Sequence, residues 1–354
     1  MRFKLIGIYF LAGVLSLLGW NLIIGNFIYQ ETPDVLDYQI GNRKEPFSRR
    51  VNGQEGYASI ITDAMGFNNK FISPAKQMGV FRIIVLGDSI AEALQVKQEE
   101  NFSGQLNHLL NQTDKKFEVF NLAVSGRAVP DYISYAPGYL EIFKPELVIM
   151  QINTADFTAD ARNAGNQNYL LQTADGLSIK NDTRLKTSGF DKLRELKNKL
   201  GAFKPIVEYA KKHFIDLRKK NRTNEVKADL AFAPGAATDD LAAIDWQMNK
   251  LKEAYDDKLI IFYANPAPVL KNGRIFLTED DDQEQTKKMI MAATAKYQID
   301  FVDPYEEFID QYRTTGQLPR GFNNSEPGAG HFNAAGHSAV AAALFEYLQI
   351  KLAL

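Results

Sequence analysis

Short, predominantly apolar runs, each set off by stretches of helical spacing, constrain this 354-residue chain more than any other feature. They are Phe81–Leu86 (FRIIVL), Phe117–Leu122 (FEVFNL), Glu146–Ile152 (ELVIMQI), Leu259–Tyr263 (LIIFY) and the shorter Ile299–Val302. All are rich in β-branched and aromatic residues, the composition of strands. Helical spacing predicts helices at about 131–143, 191–220, 239–255, 282–297, 304–314 and 334–352. A strand that alternates apolar and polar residues has one wet face. A strand apolar throughout is covered on both faces, as in a parallel sheet sandwiched between helices. The expected class is therefore α/β, three layers deep, around a central parallel sheet. Ligands of such sheets sit beyond the carboxyl ends of the strands, so chemistry is to be sought just after each run.

Composition narrows the function. Apolar residues make up 45% and charged residues 24%, enough for a sizeable core. Lys and Arg number 41 against 43 Asp and Glu, so the basic excess that nucleic-acid binding needs is absent. There is no cysteine, which excludes disulfide scaffolds, thiol catalysis and Cys-ligated metal sites. Neither cofactor nor metal is expected.

Leu5–Ile24 (LIGIYFLAGVLSLLGWNLII) holds no charge. Twenty residues of helix span about 30 Å, the hydrocarbon thickness of a bilayer. Arg2 and Lys4 precede it, and Glu31, Asp34 and Asp37 follow. The expectation is a transmembrane signal anchor over residues 1–30, with the remaining chain extracytoplasmic. Bulky Phe27, Ile28 and Tyr29 follow where a cleaved signal would place small residues. Residues 31–80 read as a stalk packing onto a domain edge, and 81–354 as the main domain. A stretch at about 158–240 interrupts the strand–helix rhythm with little strand signal. Two basic helices are expected in it, carrying Lys211, Lys212, Arg218, Lys219, Lys220 and Arg222. They read as a solvated insertion or as a patch facing anionic headgroups or glycans.

Four strand ends carry candidate chemistry. Gly87-Asp88-Ser89 follows the first run, where a serine between strand and helix presents its hydroxyl and N–H to a cleft. Asn121-Leu-Ala-Val-Ser-Gly126 follows the second, and a glycine there lets a backbone N–H approach a substrate oxygen. Gln151-Ile-Asn153-Thr-Ala-Asp156 follows the third, and a side-chain amide there could donate to the same oxygen. Gly330-His331-Phe-Asn333-Ala-Ala-Gly336-His337 opens the final predicted helix. It holds two of the chain's four histidines. The other two, His108 and His213, read as surface or packing residues within helices.

In this order, the four blocks resemble those of the SGNH hydrolases, also called GDSL esterases. The resemblance covers about residues 81–352, and Met65-Gly-Phe-Asn-Asn with Ser73-Pro-Ala-Lys looks like the entry segment of membrane-anchored members. It implies the flavodoxin-like SGNH hydrolase fold, with Ser89 as nucleophile and His331 as general base. The oxyanion hole would comprise the Ser89 and Gly126 N–H groups and an amide from the third block. Two positions depart from the family pattern. Ala155 stands where the third block has its Asn, so Asn153, on the same face of an extended segment, is expected to point its amide toward Ser89. Gly328 stands where the fourth block has its Asp, with Glu326 nearby at the wrong spacing. Without a local acid, a Ser89–His331 dyad oriented by a backbone carbonyl remains.

The leading expectation is an extracytoplasmic serine esterase removing an acetyl or other short acyl group, with an acylated envelope or secreted polysaccharide as substrate. The same site run toward a sugar hydroxyl gives an O-acetyltransferase. A reading of another class is a catalytically degenerate member that binds glycan or scaffolds an envelope assembly.

Overall fold

The computed structural model describes residues 2–24, 27, 29–30, 34–70, 73–157, 168–173, 176–181, 236–278 and 281–354. Helix α1 (Arg2–Ile23) comes first. Strands β1 (Arg49–Asn52) and β2 (Ala58–Ile61) form an antiparallel hairpin. The α/β body follows: β3 (Val80–Leu86), the single turn α2 (Ser89–Glu92), α3 (Phe102–Leu110), β4 (Lys116–Asn121), α4 (Val129–Phe143) and β5 (Leu147–Ile152). After β6 (Asn168–Thr173) and β7 (Gly176–Asn181) come α5 (Ala236–Tyr255), β8 (Leu259–Tyr263), α6 (Asp281–Lys296), β9 (Asp300–Val302), α7 (Tyr305–Thr315) and α8 (Ala334–Leu352).

The five-stranded sheet runs β9–β8–β5–β3–β4, and every neighbouring pair is parallel. The chain steps outward from β3 to β4, then back across β3 to β5. The order reverses between β3 and β5, the topological switch point where such folds bind ligands. Ser89 follows β3 and Asn153 follows β5.

Successive residues of the buried strands serve opposite layers. Ile84 and Leu86 of β3 join Tyr132 and Tyr139 of α4 and Ile244 and Met248 of α5. Ile83 and Val85 join Leu106 and Leu110 of α3 and Val340 and Leu344 of α8. All are buried, and burying each such aliphatic side chain contributes about 1.5–3 kcal/mol. This two-sided burial is why the sequence reads as predominantly apolar runs rather than alternating ones.

One expectation finds no support in the structure, and two need correcting. Among the described residues, no helix is long and apolar enough to cross a membrane. Helix α1 is present, with Leu11, Leu15 and Leu18 exposed. The insertion contains a two-stranded antiparallel hairpin, β6–β7, where little strand was expected. Its basic helices with Lys211 to Arg222, and His213 with them, lie outside the described residues. Finally, the segment upstream of β3 reaches much further than a domain edge: Ile40, Val51, Ala58, Ile60 and Phe67 are buried, and the β1–β2 turn extends to the mouth of the sheet.

Candidate active site

Ser89 opens α2 directly after β3. Asp88 is the N-cap, its Oδ1 accepting from the Ile90 N–H at 2.8 Å. The Asp88 N–H donates to Gln151 Oε1 at 3.0 Å, which ties the serine turn to the end of β5. The turn is thus fixed from both sides of the switch point.

Ser89 Oγ lies 2.9 Å from His331 Nε2, the pairing expected from sequence. The surprise is on the other side of the ring. His331 Nδ1 lies 2.6 Å from Glu55 Oε2, and the His331 backbone N–H donates to Glu55 Oε1 at 2.8 Å. One carboxylate thus holds both the ring and the backbone of the histidine. No backbone carbonyl is needed to orient the ring, so the dyad expectation gives way to a triad. Glu55 sits in the β1–β2 turn, 276 residues before His331.

Glu55 is ionised at neutral pH. Partial burial pushes its pKa up, but hydrogen bonds from the His331 ring and backbone, and the charges of His331 and Arg320, hold it below the ordinary glutamate value. An ionised carboxylate only accepts hydrogen bonds, so Nδ1 carries the hydrogen and the Nε2 lone pair faces the serine. Gly330 makes room for the carboxylate: it adopts φ +77°, and a Cβ there would stand 2.2 Å from Glu55 Oε1. The position where the family pattern has Asp, Gly328, is buried against Leu270 and Leu318. Arg320 locks the loop from below, donating to the carbonyls of Gly330 (2.7 Å) and Ala264 (2.8 Å).

The candidate oxyanion donors are partly as expected. Gly126 turns the chain after β4 with φ +82°. Glu92 of α2 accepts from both the Ser125 N–H, at 2.9 Å, and the Ser125 hydroxyl, joining that turn to the serine helix. Among the described residues, neither the Ser89 nor the Gly126 N–H donates to another protein group. Asn153 departs from expectation. Its Oδ1 accepts from the Ala155 N–H at 2.8 Å, capping a 3₁₀ turn (Thr154–Phe157), and its Nδ2 donates to Asp88 Oδ2 at 3.0 Å. The amide is aimed one residue before Ser89. A buried carboxyl pair explains this. Burial raises the pKa of Asp88, and Asp156, also buried and facing the Asp88 charge, is raised well above its ordinary value. Asn153 serves both, its N–H donating to Asp156 Oδ2 at 2.7 Å.

Of the other histidines, His108 falls where expected. His108 is on the surface beside Gln112 (3.0 Å). His337 is packed between Phe102 and Phe332, fully enclosed, with burial pushing its pKa down to about 3. Among the described residues, no group of three or more His, Asp and Glu side chains is placed to hold a metal ion.

The model of the GDSL-like lipase/acylhydrolase family matches residues 85–339, a span that includes Ser89, Gly126, Asn153 and His331 but stops short of Glu55. No curated protein matches. Among solved structures the chain is similar to TesA, at 12% identity over 76% of this chain and 98% of that one, TM-score 0.40. It is also similar to a lipase/acylhydrolase from Enterococcus faecalis, at 12% identity over 77% and 96%, TM-score 0.41. A third is the acetyl xylan esterase AlAXEase, at 11% identity over 76% and 100%, TM-score 0.42.

Proposed function

As the chain belongs to the GDSL-like lipase/acylhydrolase family and is a carboxylic ester hydrolase of that type, we propose that Ser89, His331 and Glu55 are its catalytic triad. The observation that carries this reading is the continuous chain of contacts from Ser89 Oγ to His331 Nε2 (2.9 Å) and from His331 Nδ1 to Glu55 Oε2 (2.6 Å). Each step follows from the geometry. Nε2 takes the Ser89 proton as Oγ attacks the ester carbonyl. The negative charge on the carbonyl oxygen is met by the Ser89 and Gly126 N–H groups. Glu55 stabilises the imidazolium without taking its proton. The imidazolium then protonates the departing alkoxide, and water, activated by the same nitrogen, releases the acyl group. Asn153 acts behind the nucleophile, by satisfying Asp88.

The presence of an acid on Nδ1 removes the motive for a degenerate, non-catalytic reading. An acetyl or other short acyl group on an envelope or secreted polysaccharide is the substrate we infer, and membrane attachment through residues 5–24 the location. The support for both is in the sequence: an uncharged segment of bilayer length behind a basic flank.

The test is covalent labelling by a fluorophosphonate together with hydrolysis of p-nitrophenyl acetate. We expect wild-type protein to be labelled and to turn over, and Ser89→Ala to do neither. Equal labelling of Ser89→Ala would remove Ser89 from the mechanism.

A further inference from the structure

Glu55 is delivered by a turn, and a carboxylate on a turn is only as well placed as the turn's own anchorage. Besides the Gln54 N–H bond to Asn52 Oδ1 (3.2 Å) within the turn, three of its backbone bonds go to one side chain from another loop. Asn324 Oδ1 accepts from the Gly56 N–H at 2.8 Å, while Nδ2 donates to the carbonyls of Gly56 at 2.9 Å and Gly53 at 3.0 Å. The amide spans the turn from Gly53 to Gly56, with Glu55 between.

Asn324 belongs to the loop that carries the histidine. It lies in a tight turn closed by Ser325 N–H to the Phe322 carbonyl (3.1 Å) and Phe322 N–H to Ser325 Oγ (3.0 Å). The same loop is tied back to His331, whose carbonyl accepts from the Gly321 N–H at 3.1 Å, beside the Arg320–Phe332 bridge. The base and the clamp on its acid therefore ride on one excursion of backbone.

We propose that Asn324 is a positioning residue that sets Glu55 against His331 by clamping the β1–β2 turn. This rests on the triad reading above. Asn324 is itself exposed, where substitutions change stability little. Its loss is expected to register in catalysis.

The experiment compares full-length wild-type protein with Asn324→Ala, Asn324→Asp, Glu55→Gln and the Glu55→Gln/Asn324→Ala double variant. For Asn324→Ala we expect kcat on p-nitrophenyl acetate to fall about 10- to 100-fold with KM nearly unchanged. The acid limb of its pH–rate profile moves to lower pH, because a loosened carboxylate stabilises the imidazolium less. Asn324→Asp keeps the acceptor for Gly56 and loses both donors, so it falls between. In the Glu55→Gln background the Ala substitution adds nothing, because its effect passes through the carboxylate. Wild-type kcat and pH profile in Asn324→Ala, or losses that multiply in the double variant, overturn the proposal. If wild-type protein neither turns over nor labels with fluorophosphonate, the esterase reading fails instead. The clamp is then decided by the low-field proton resonance of the His331 Nδ1–H: its loss in Asn324→Ala supports the clamp, and its retention overturns it.

Discussion

A glycine beside His331 connects backbone conformation to the proposed chemistry. Gly330 has φ +77°, and Glu55 Oε1 occupies the space its side chain would need. Gly330→Ala meets a left-handed backbone cost of about 1–2 kcal/mol. The contacted atom is the end of a flexible side chain, so the carboxylate moves and the fold survives. We expect kcat to fall by about tenfold or more while the unfolding midpoint shifts only a few degrees, measured by ester hydrolysis and thermal unfolding on the same preparation. At this scale the sequence was legible where spacing is local. Ser89, Gly126 and His331 each sit in a short block at a strand or helix end. Glu55 was not legible, because nothing local links it to a histidine 276 residues away. The available signal was weak: an acid in a glycine-flanked turn, Gly53-Gln-Glu-Gly56, between two strand-like pieces. Asn153 was misread because strand alternation gives the side a residue faces, not the partner it finds there.

Among the elements, the sheet strands are legible to within two residues, since burial on both faces makes each a predominantly apolar run. The same argument concealed Arg82, a cation in the middle of β3 that is fully buried. Its guanidinium donates to Glu118 Oε2 (2.7 and 2.9 Å) and to the carbonyls of Pro74 and Phe143 (both 2.9 Å). It fastens the upstream segment to the sheet. Arg82→Met would leave those carbonyls and Glu118 without their donor, and we expect a loss of about 3 kcal/mol in urea unfolding. The β6–β7 hairpin escaped prediction because its outer positions are polar and exposed, so it lacks the apolar run that marks the sheet strands.

At the scale of the whole molecule, the buried His337 makes stability sensitive to mild acid. His337 is neutral in the folded protein down to about pH 3, whereas an exposed histidine takes a proton near its ordinary value of 6.5. The unfolded chain therefore binds the extra proton first, and stability falls as pH drops from about 6.5 toward 3. His337→Gln keeps an acceptor for the Phe102 N–H, held at 3.4 Å in the native protein, but does not titrate. Between about pH 7 and pH 5 its urea midpoint should fall less than that of wild type; an equal fall would remove His337 from the acid response.

The order in which the triad is encoded has a consequence for the nascent chain. Glu55 and Ser89 emerge from the ribosome first, and the base is encoded 242 residues after the nucleophile. At about 5–20 residues per second, that is a delay of roughly 12–50 s. Through that interval the serine has no group to take its proton, and the polypeptide passes its synthesis as an inert acyl acceptor. The proposed reactivity needs the loop bearing His331 to meet a turn that is encoded long before it.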